Sequence, residues 1–324
     1  MKKNHLLYLS RADVETVGLD MPVVIDLLAK AYLEKSLGRV QSPAKPSIYP
    51  RDDSFITAMP AYIPSLDSAG IKWIAGFPGN TQLGMPYITG LLILNDVETG
   101  LPCAVMDCTW ITAQRTGAKT ALAAKYLAHP DSREVGILAC GVQGRTNLRA
   151  LSCLFPIRKV NAFDINPQAQ EKFIQEMNKQ YDFEIVGVET PRDAVIESDL
   201  IVISGPIMRS PNPTILKDWL KPGGFASAVD YDSYWSSDAL AQMDIFVTDD
   251  LPQFLYQRQM GYFFNTPDPN LELADLVAGA RPGRQNQEQR VLSMNLGLAM
   301  DDMAIAPEIF RQAREQDLGV WLSL

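Results

Sequence analysis

The run VGILACGVQG, residues 135–144, decides the reading of the fold. Val135 to Ala139 make a short apolar strand, and Cys140-Gly141-Val142-Gln143-Gly144 turns from it into a helix. Small residues at such a turn let the backbone approach a pyrophosphate at a helix N-terminus. The pattern is GxGxxG with Ala139 in the first position, and alanine lacks glycine's freedom at positive φ. Asp164 ends the next strand, 20 residues past Gly144, where a carboxylate accepts the ribose hydroxyls of a dinucleotide. Ile165-Asn166-Pro167 follows it with no basic residue, which favours NAD over its 2′-phosphorylated form. The motif thus nominates Gly141, Val142, Gln143 and Asp164 as cofactor residues. The competing reading is a glycine turn in an α/β domain that binds no nucleotide, with Asp164 as a helix cap.

Outward from the turn, strands and helices alternate. Strand Val160–Phe163, a helix from Pro167, strand Ile185–Val188, a helix, strand Leu200–Ser204, a helix and strand Phe225–Val229 follow in order. That alternation predicts an α/β chain with a Rossmann-type, doubly wound parallel sheet. Upstream, Thr109 to Ala128 is a long Ala-rich helix stopped by His129-Pro130, and Pro130-Asp131-Ser132 marks a domain boundary. Before it, Leu6–Leu9 reads as a strand, Ser10 as an N-cap with Asp13 three residues on, and Met21 to Leu37 as a helix ended by Gly38. From Val40 to Met106 the texture changes. Phe55–Met59, Gly70–Ala75, Tyr87–Leu94 and Cys103–Asp107 are short apolar stretches with turn residues between them, an antiparallel β pattern. Gly297 to Gln312 reads as a helix interrupted near Pro307. It and the apolar tail Val320–Leu324 are expected to return to the first domain. The expected domains are residues 1–129, completed by 298–324, and residues 130–297.

Composition narrows the function class. The chain has 324 residues, 47% hydrophobic and 21% charged, an ordinary globular balance for two domains. A net charge of −9 repels nucleic acid and anionic membranes. Cys103, Cys108, Cys140 and Cys153 match no zinc spacing, and the only histidines are His5 and His129, so no metal site is expected. The cysteines read as reduced, buried thiols of a cytoplasmic protein. Lys2 and Lys3 precede only a short apolar run, which does not make a signal peptide, and no window is long enough to span a bilayer.

An ordered set of motifs carries a resemblance. Ala58-Met59-Pro60-Ala61, Gly70-Ile71-Lys72-Trp73, Gly84-Met85-Pro86, Leu94 to Pro102 (LNDVETGLP), Arg115-Thr116-Gly117-Ala118 and Gly141-Val142-Gln143 follow one another, and Gly279 to Arg284 with Gly297-Leu298-Ala299 extend the set nearly to the end. Together they resemble the ornithine cyclodeaminase/mu-crystallin family. The resemblance implies a Rossmann domain joined to an α+β substrate and dimerisation domain, hence a homodimer. It implies an NAD(H)-dependent oxidation of a small amino acid to its imine, or the reverse reduction. Two alternatives come with it: a cyclodeaminase that forms a cyclic imino acid with loss of ammonia, and a crystallin-like binder of a nucleotide and a small ligand.

Carried over, the resemblance implies that Lys72 and Arg115 hold the substrate carboxylate, with Lys45 as a further basic residue. It implies cofactor contacts from Thr116, Ser204 and Asn295. Counting from Pro222-Gly223 places the catalytic acid at Asp232, with Asp230 as a second acid two residues earlier. If the strand continues, the two share a side. Thr57 stands where cyclodeaminases have a glutamate for the distal amine of ornithine, which puts ornithine in doubt.

Overall fold

The computed structural model describes residues 4–324, so Lys2 and Lys3 lie outside the described residues. The chain divides into two compact units, Met1–Arg115 with Gly297–Leu324, and Thr116–Leu296. The sequence places the first boundary at 129/130, but the division falls inside the long helix that ends there.

The first unit opens with β1 (His5–Leu9), α1 (Arg11–Val17) and α2 (Met21–Ser36). The expected cap at Ser10 is reciprocal: its hydroxyl accepts from the Asp13 amide, and the Asp13 carboxylate accepts from the Ser10 amide at 2.8 Å. β2 (Ser47–Ile48), β3 (Phe55–Ile63), β4 (Ser68–Gly76), β5 (Ile88–Asn95) and β6 (Pro102–Asp107) follow, paired antiparallel in sequence order. Helix α3 (Thr109–Leu127) then carries the chain into the second unit.

The second unit contains β7 (Glu134–Leu138), α4 (Val142–Ser152), β8 (Lys159–Phe163), α5 (Pro167–Met177), β9 (Glu184–Gly187), α6 (Pro191–Val195), β10 (Leu200–Ile203) and β11 (Phe225–Ala228). It continues with α7 (Ser237–Ala241), β12 (Ile245–Thr248), α8 (Leu251–Gln259), β13 (Leu271–Glu272), α9 (Leu273–Val277) and β14 (Val291–Met294). These strands form one eight-stranded sheet, β13-β12-β14-β11-β10-β7-β8-β9, in which every pairing is parallel. All residues of β10, β11, β12 and β14 are buried, the texture of strands covered on both faces. The chain leaves β7 toward β8 on one side and returns to β10 on the other, so the order reverses between β7 and β10.

Finally α10 (Ala299–Glu315) and β15 (Val320–Ser323) return to the first unit. β15 pairs antiparallel with β1, which pairs parallel with β6, giving a seven-stranded sheet β15-β1-β6-β5-β4-β3-β2. Helix α10 packs on β3 and β4.

Three expectations need correction. No helix joins β10 to β11: residues 205–224 are irregular, because Pro206, Pro211 and Pro213 lack the amides a helix ladder requires. Helix α10 is not broken at Pro307. The carbonyl that proline leaves without a helical donor, that of Met303, accepts the Ser68 hydroxyl from β4 at 2.7 Å. Cys153 is exposed, at the end of α4, while the other three thiols are buried. Among the described residues, no helix is long and apolar enough to cross a membrane.

Candidate active site

In the second unit the carboxyl ends of β7, β8 and β10 bring the nominated nucleotide residues together. Gly141 caps α4, and a Cβ built on it would meet nothing within 4 Å, so that side of the turn is open. A Cβ on Gly144 would lie 2.6 Å from the Ala139 carbonyl, so glycine is required for α4 to pack this close to β7. Ala139 itself sits at φ +76°, in the left-handed region. That costs a non-glycine residue about 1–2 kcal/mol, so the first motif position does call for glycine's conformation. Asp164 ties the turn to the end of β8. One carboxylate oxygen accepts from the Cys140 amide at 2.7 Å and the other from the Asn166 amide at 2.8 Å. It is not the cap of α5; Asn166 fills that place.

The Ser204 hydroxyl donates to the Ala139 carbonyl at 3.3 Å, at the point where the strand order reverses. The Gln143 side chain lies against Thr146 and Asn147 within α4. Thr116 is buried beside Gly117, whose missing side chain lets α3 touch the Thr146 carbonyl. Asn295 is engaged on both ends of its amide: it donates to Ser227 at 3.1 Å and accepts from Ser293 at 3.3 Å. Beside the turn, Asp164, Ile165, Pro167, Gln170 and Val188 line an open cleft of about 860 Å³. Val142 and Ile165 are 62% and 91% exposed, apolar side chains that a flat aromatic ligand would cover.

The two acids occupy different surroundings. β11 ends at Ala228 and Tyr231 lies at φ +62°, so the strand does not continue and the expected shared side is lost. Asp230 is fully buried and accepts from the Gly205 amide at 3.1 Å, while its other oxygen has no hydrogen bond. Burial pushes its carboxyl well above the usual range. Asp232 accepts from the Thr266 hydroxyl at 2.7 Å and lines a cavity of about 180 Å³ with Arg209, Trp235 and Phe263. Burial raises its carboxyl too, against the opposing pull of the Thr266 hydrogen bond and the Arg258 charge.

In the first unit the three nominated cations converge. Lys72 stands on β4 in a row with Met59, Leu92, Met106 and Leu9, all buried apolar residues. A lysine head there is expensive unless paired. Its Nζ lies 2.5 Å from the Asp302 carboxylate and 3.5 Å from the Thr112 hydroxyl. Burial lowers the Lys72 pKa, and the Asp302 charge works against that. Arg115 places Nε 3.7 Å from the other Asp302 oxygen and a terminal nitrogen 4.0 Å from Asp301. The guanidinium also lies against Gly297, which is at φ +77° and where a Cβ would come within 2.8 Å of it. The Gly297 carbonyl accepts from Lys45 Nζ at 2.9 Å. Lys72, Arg115 and Lys45 thus gather around Asp302, Asp301 and the Gly297 backbone, a set of basic groups suited to an anionic ligand.

The acids of this cluster escaped the sequence reading. Their signal is two adjacent aspartates inside the apolar run Ala299-Met300-Asp301-Asp302-Met303-Ala304, where a helix cannot keep both in water. The pair Lys119–Asp249, fully buried at 2.6 Å in the second unit, also went unread.

Known proteins resemble the chain along nearly its whole length. Residues 5–317 match the model of the ornithine cyclodeaminase/mu-crystallin family. The chain is 32% identical to the nodulation efficiency protein NfeD of Rhizobium meliloti over 98% of both chains. It is 30% identical to the alanine dehydrogenase of Archaeoglobus fulgidus over 97% of both. The Delta(1)-pyrroline-2-carboxylate reductase of Thermococcus litoralis, solved in complex with NADH and L-proline, superposes with a TM-score of 0.88 at 31% identity, covering 97% of this chain and 99% of that one. The chain therefore belongs to the ornithine cyclodeaminase/mu-crystallin family.

Proposed function

We propose that this protein is an NAD(H)-dependent enzyme that interconverts a small α-amino acid and its imine. The observation that carries the reading is the Lys72–Arg115–Lys45 cluster, in which the Arg115 Nε has no hydrogen bond. The second unit is the nucleotide-binding unit in this reading, and the first serves the substrate and the dimer. The residues present fit a dinucleotide: the side of the turn at Gly141 is open, the N-terminus of α4 lies behind it, and Asp164 lines the adjacent cleft. When bound, NAD(H) accepts or supplies one hydride at the substrate α-carbon. Arg115 and Lys72 fix the carboxylate and so orient that carbon. Before hydride leaves, the ammonium must lose a proton so that its nitrogen lone pair can form the imine. Asp232 receives it in oxidation and returns it in reduction.

An ornithine-specific cyclodeaminase is the weaker reading. Thr57 is buried and its hydroxyl pairs with that of Ser47 at 2.7 Å, with no carboxylate at that position for a distal amine. A pure binder has no use for a proton acceptor in the place of Asp232. Four free cysteines suit the reducing cytoplasm. The test is NADH absorbance across a panel: oxo acids with ammonium and cyclic imino acids in one direction, L-alanine, L-proline, L-lysine and L-ornithine in the other. Turnover of a panel acid with NADH supports the reading; NADH binding without any turnover sinks it. Asp232→Asn should then lose about 10²- to 10⁴-fold in rate with NADH binding intact.

The first unit's sheet supports reading the protein as a dimer. Its face away from α10 carries the row Ile71, Ile93, Val105 and Tyr8, with Trp73 and Leu91 beside it, 49% and 44% exposed. A second copy is the occupant that suits a broad apolar sheet face. An archaeal alanine dehydrogenase of similar structure, at a TM-score of 0.88, is described as a dimer. Light scattering that finds a monomer at micromolar concentration contradicts it.

A further inference from the structure

The acid that joins the clamp's two buried cations is not needed to cap its own helix. Helix α10 begins at Ala299, and its capping acid is Asp301, which accepts from the Leu298 amide at 2.8 Å. Asp302, the next residue, caps nothing. It is nevertheless buried completely, at a cost the helix does not require. One of its oxygens meets Lys72 at 2.5 Å; the other faces Arg115 Nε at 3.7 Å, and neither that oxygen nor Nε has a hydrogen bond. A buried ion pair that existed only for stability would close both contacts. This one is closed on the lysine and left open on the arginine.

We propose that Asp302 is a positioning residue for the substrate carboxylate: it keeps the Lys72 head charged inside an apolar row and sets the distance between that head and the Arg115 guanidinium. The proposal rests on reading Lys72 and Arg115 as the carboxylate clamp. The groups facing Lys72 are few. Asp302 comes from α10, Arg115 and Thr112 from α3, and Cys108 from the junction before α3. Burial and Arg115 disfavour the charged ammonium, and Asp302 is the carboxylate that opposes them. The Cys108 thiol, pushed up to about 11 by burial, stays neutral at neutral pH and does not replace it.

With Asp302→Asn the side chain keeps its shape and loses its charge. Lys72 then gives up its proton at lower pH, and the carboxylate loses a cation. The experiment measures kcat and KM across neutral and alkaline pH, using the panel acid of highest kcat/KM, for the parent, Asp302→Asn, Asp302→Glu, Lys72→Met and Lys72→Met/Asp302→Asn. Asp302→Asn should raise KM more than it lowers kcat and reduce kcat/KM by about a hundredfold. The alkaline limb of its kcat/KM profile should move to lower pH, and Asp302→Glu should restore that limb. Since the aspartate acts through the lysine, the two single losses should not multiply in the double variant. That variant removes both charges together, so it reports even if Asp302→Asn alone does not fold. An unshifted limb, or losses that multiply, overturns the role of Asp302 and leaves the clamp standing. A parent-like KM in Lys72→Met removes Lys72 from the clamp itself.

Discussion

Among the described residues two lysines are buried completely, each against an aspartate: Lys72–Asp302 at 2.5 Å and Lys119–Asp249 at 2.6 Å. By length and burial the two pairs are twins. They differ in what the aspartate does with its second oxygen. Asp249 receives the Leu296 amide there, at 3.1 Å. Asp302 faces an arginine at 3.7 Å and makes no hydrogen bond. A buried ion pair by itself is weak grounds for stability or for function. Bonding capacity left over inside the protein is a better guide, because folding normally uses it up. Lys119–Asp249 joins α3 to the residue that follows β12, within one unit, and reads as architecture. Lys72–Asp302 leaves donors and an acceptor for a ligand.

The comparison breaks most sharply at the closed pair. Lys119→Met leaves Asp249 buried without its cation and should cost about 3–5 kcal/mol of stability, read from the denaturant midpoint. Adding Asp249→Asn, which still accepts the Leu296 amide, should recover most of that loss. The folded fraction of Lys119→Met should turn over substrate at about the parent kcat/KM. A selective loss of activity without loss of stability would make Lys119 a site residue and erase the distinction. The open pair is expected to behave the other way. Arg115→Ala should lower kcat/KM by the equivalent of about 2–5 kcal/mol while NADH titrates as in the parent. Parent-like kinetics would mean that Arg115 only packs against Gly297.

What was legible in the sequence follows contact distance. The dinucleotide turn was legible because its constraint is local: Ala139, Gly141 and Gly144 fall within one strand-to-helix corner. The buried parallel strand Leu200–Ile203 was legible as a continuous apolar run. The three cations of the clamp came from resemblance, since nothing in the spacing of Lys45, Lys72 and Arg115 places them together. Asp302 was not legible, because its contact with Lys72 crosses 230 positions. Pro307 misled for a related reason: the Ser68 hydroxyl that satisfies Met303 lies 235 positions away. The strands and helices between Ser236 and Met294 were missed because they are short, four or five residues in most cases, and show no clear period.

At Ala139 a smaller effect is expected. Ala139→Gly relieves a left-handed strain of about 1–2 kcal/mol but loosens the unfolded chain by about 0.5–1 kcal/mol, so a net gain of about 0.5–1 kcal/mol is expected. Thermal unfolding of the variant checks it, and a loss of stability would mean that the Ala139 methyl packs usefully enough to outweigh its strain.

An effect of the same small scale, but dependent on pH, is expected where a buried acid faces no cation. Asp230 is enclosed with one oxygen on the Gly205 amide and the other without a hydrogen bond, and burial raises its carboxyl well above the usual range. The folded state therefore holds this proton more tightly than the unfolded chain does. The stability that the neutral acid contributes is complete below the ordinary carboxylate pKa and is lost as pH rises through the raised value. Asp230→Asn cannot ionise and still accepts from Gly205, so it should be the more stable protein at neutral pH, by about 1 kcal/mol, the scale of one hydrogen bond. Below the ordinary carboxylate pKa the two proteins should converge. Asp232, also raised, is present in both proteins and cancels in the difference. Denaturant midpoints of parent and variant, measured in parallel from acid to alkaline pH, give the curve directly. A constant difference at every pH would mean that Asp230 keeps the same charge in the folded and unfolded chains. A variant less stable at neutral pH would mean that the Asp230 carboxylate is held charged by a partner.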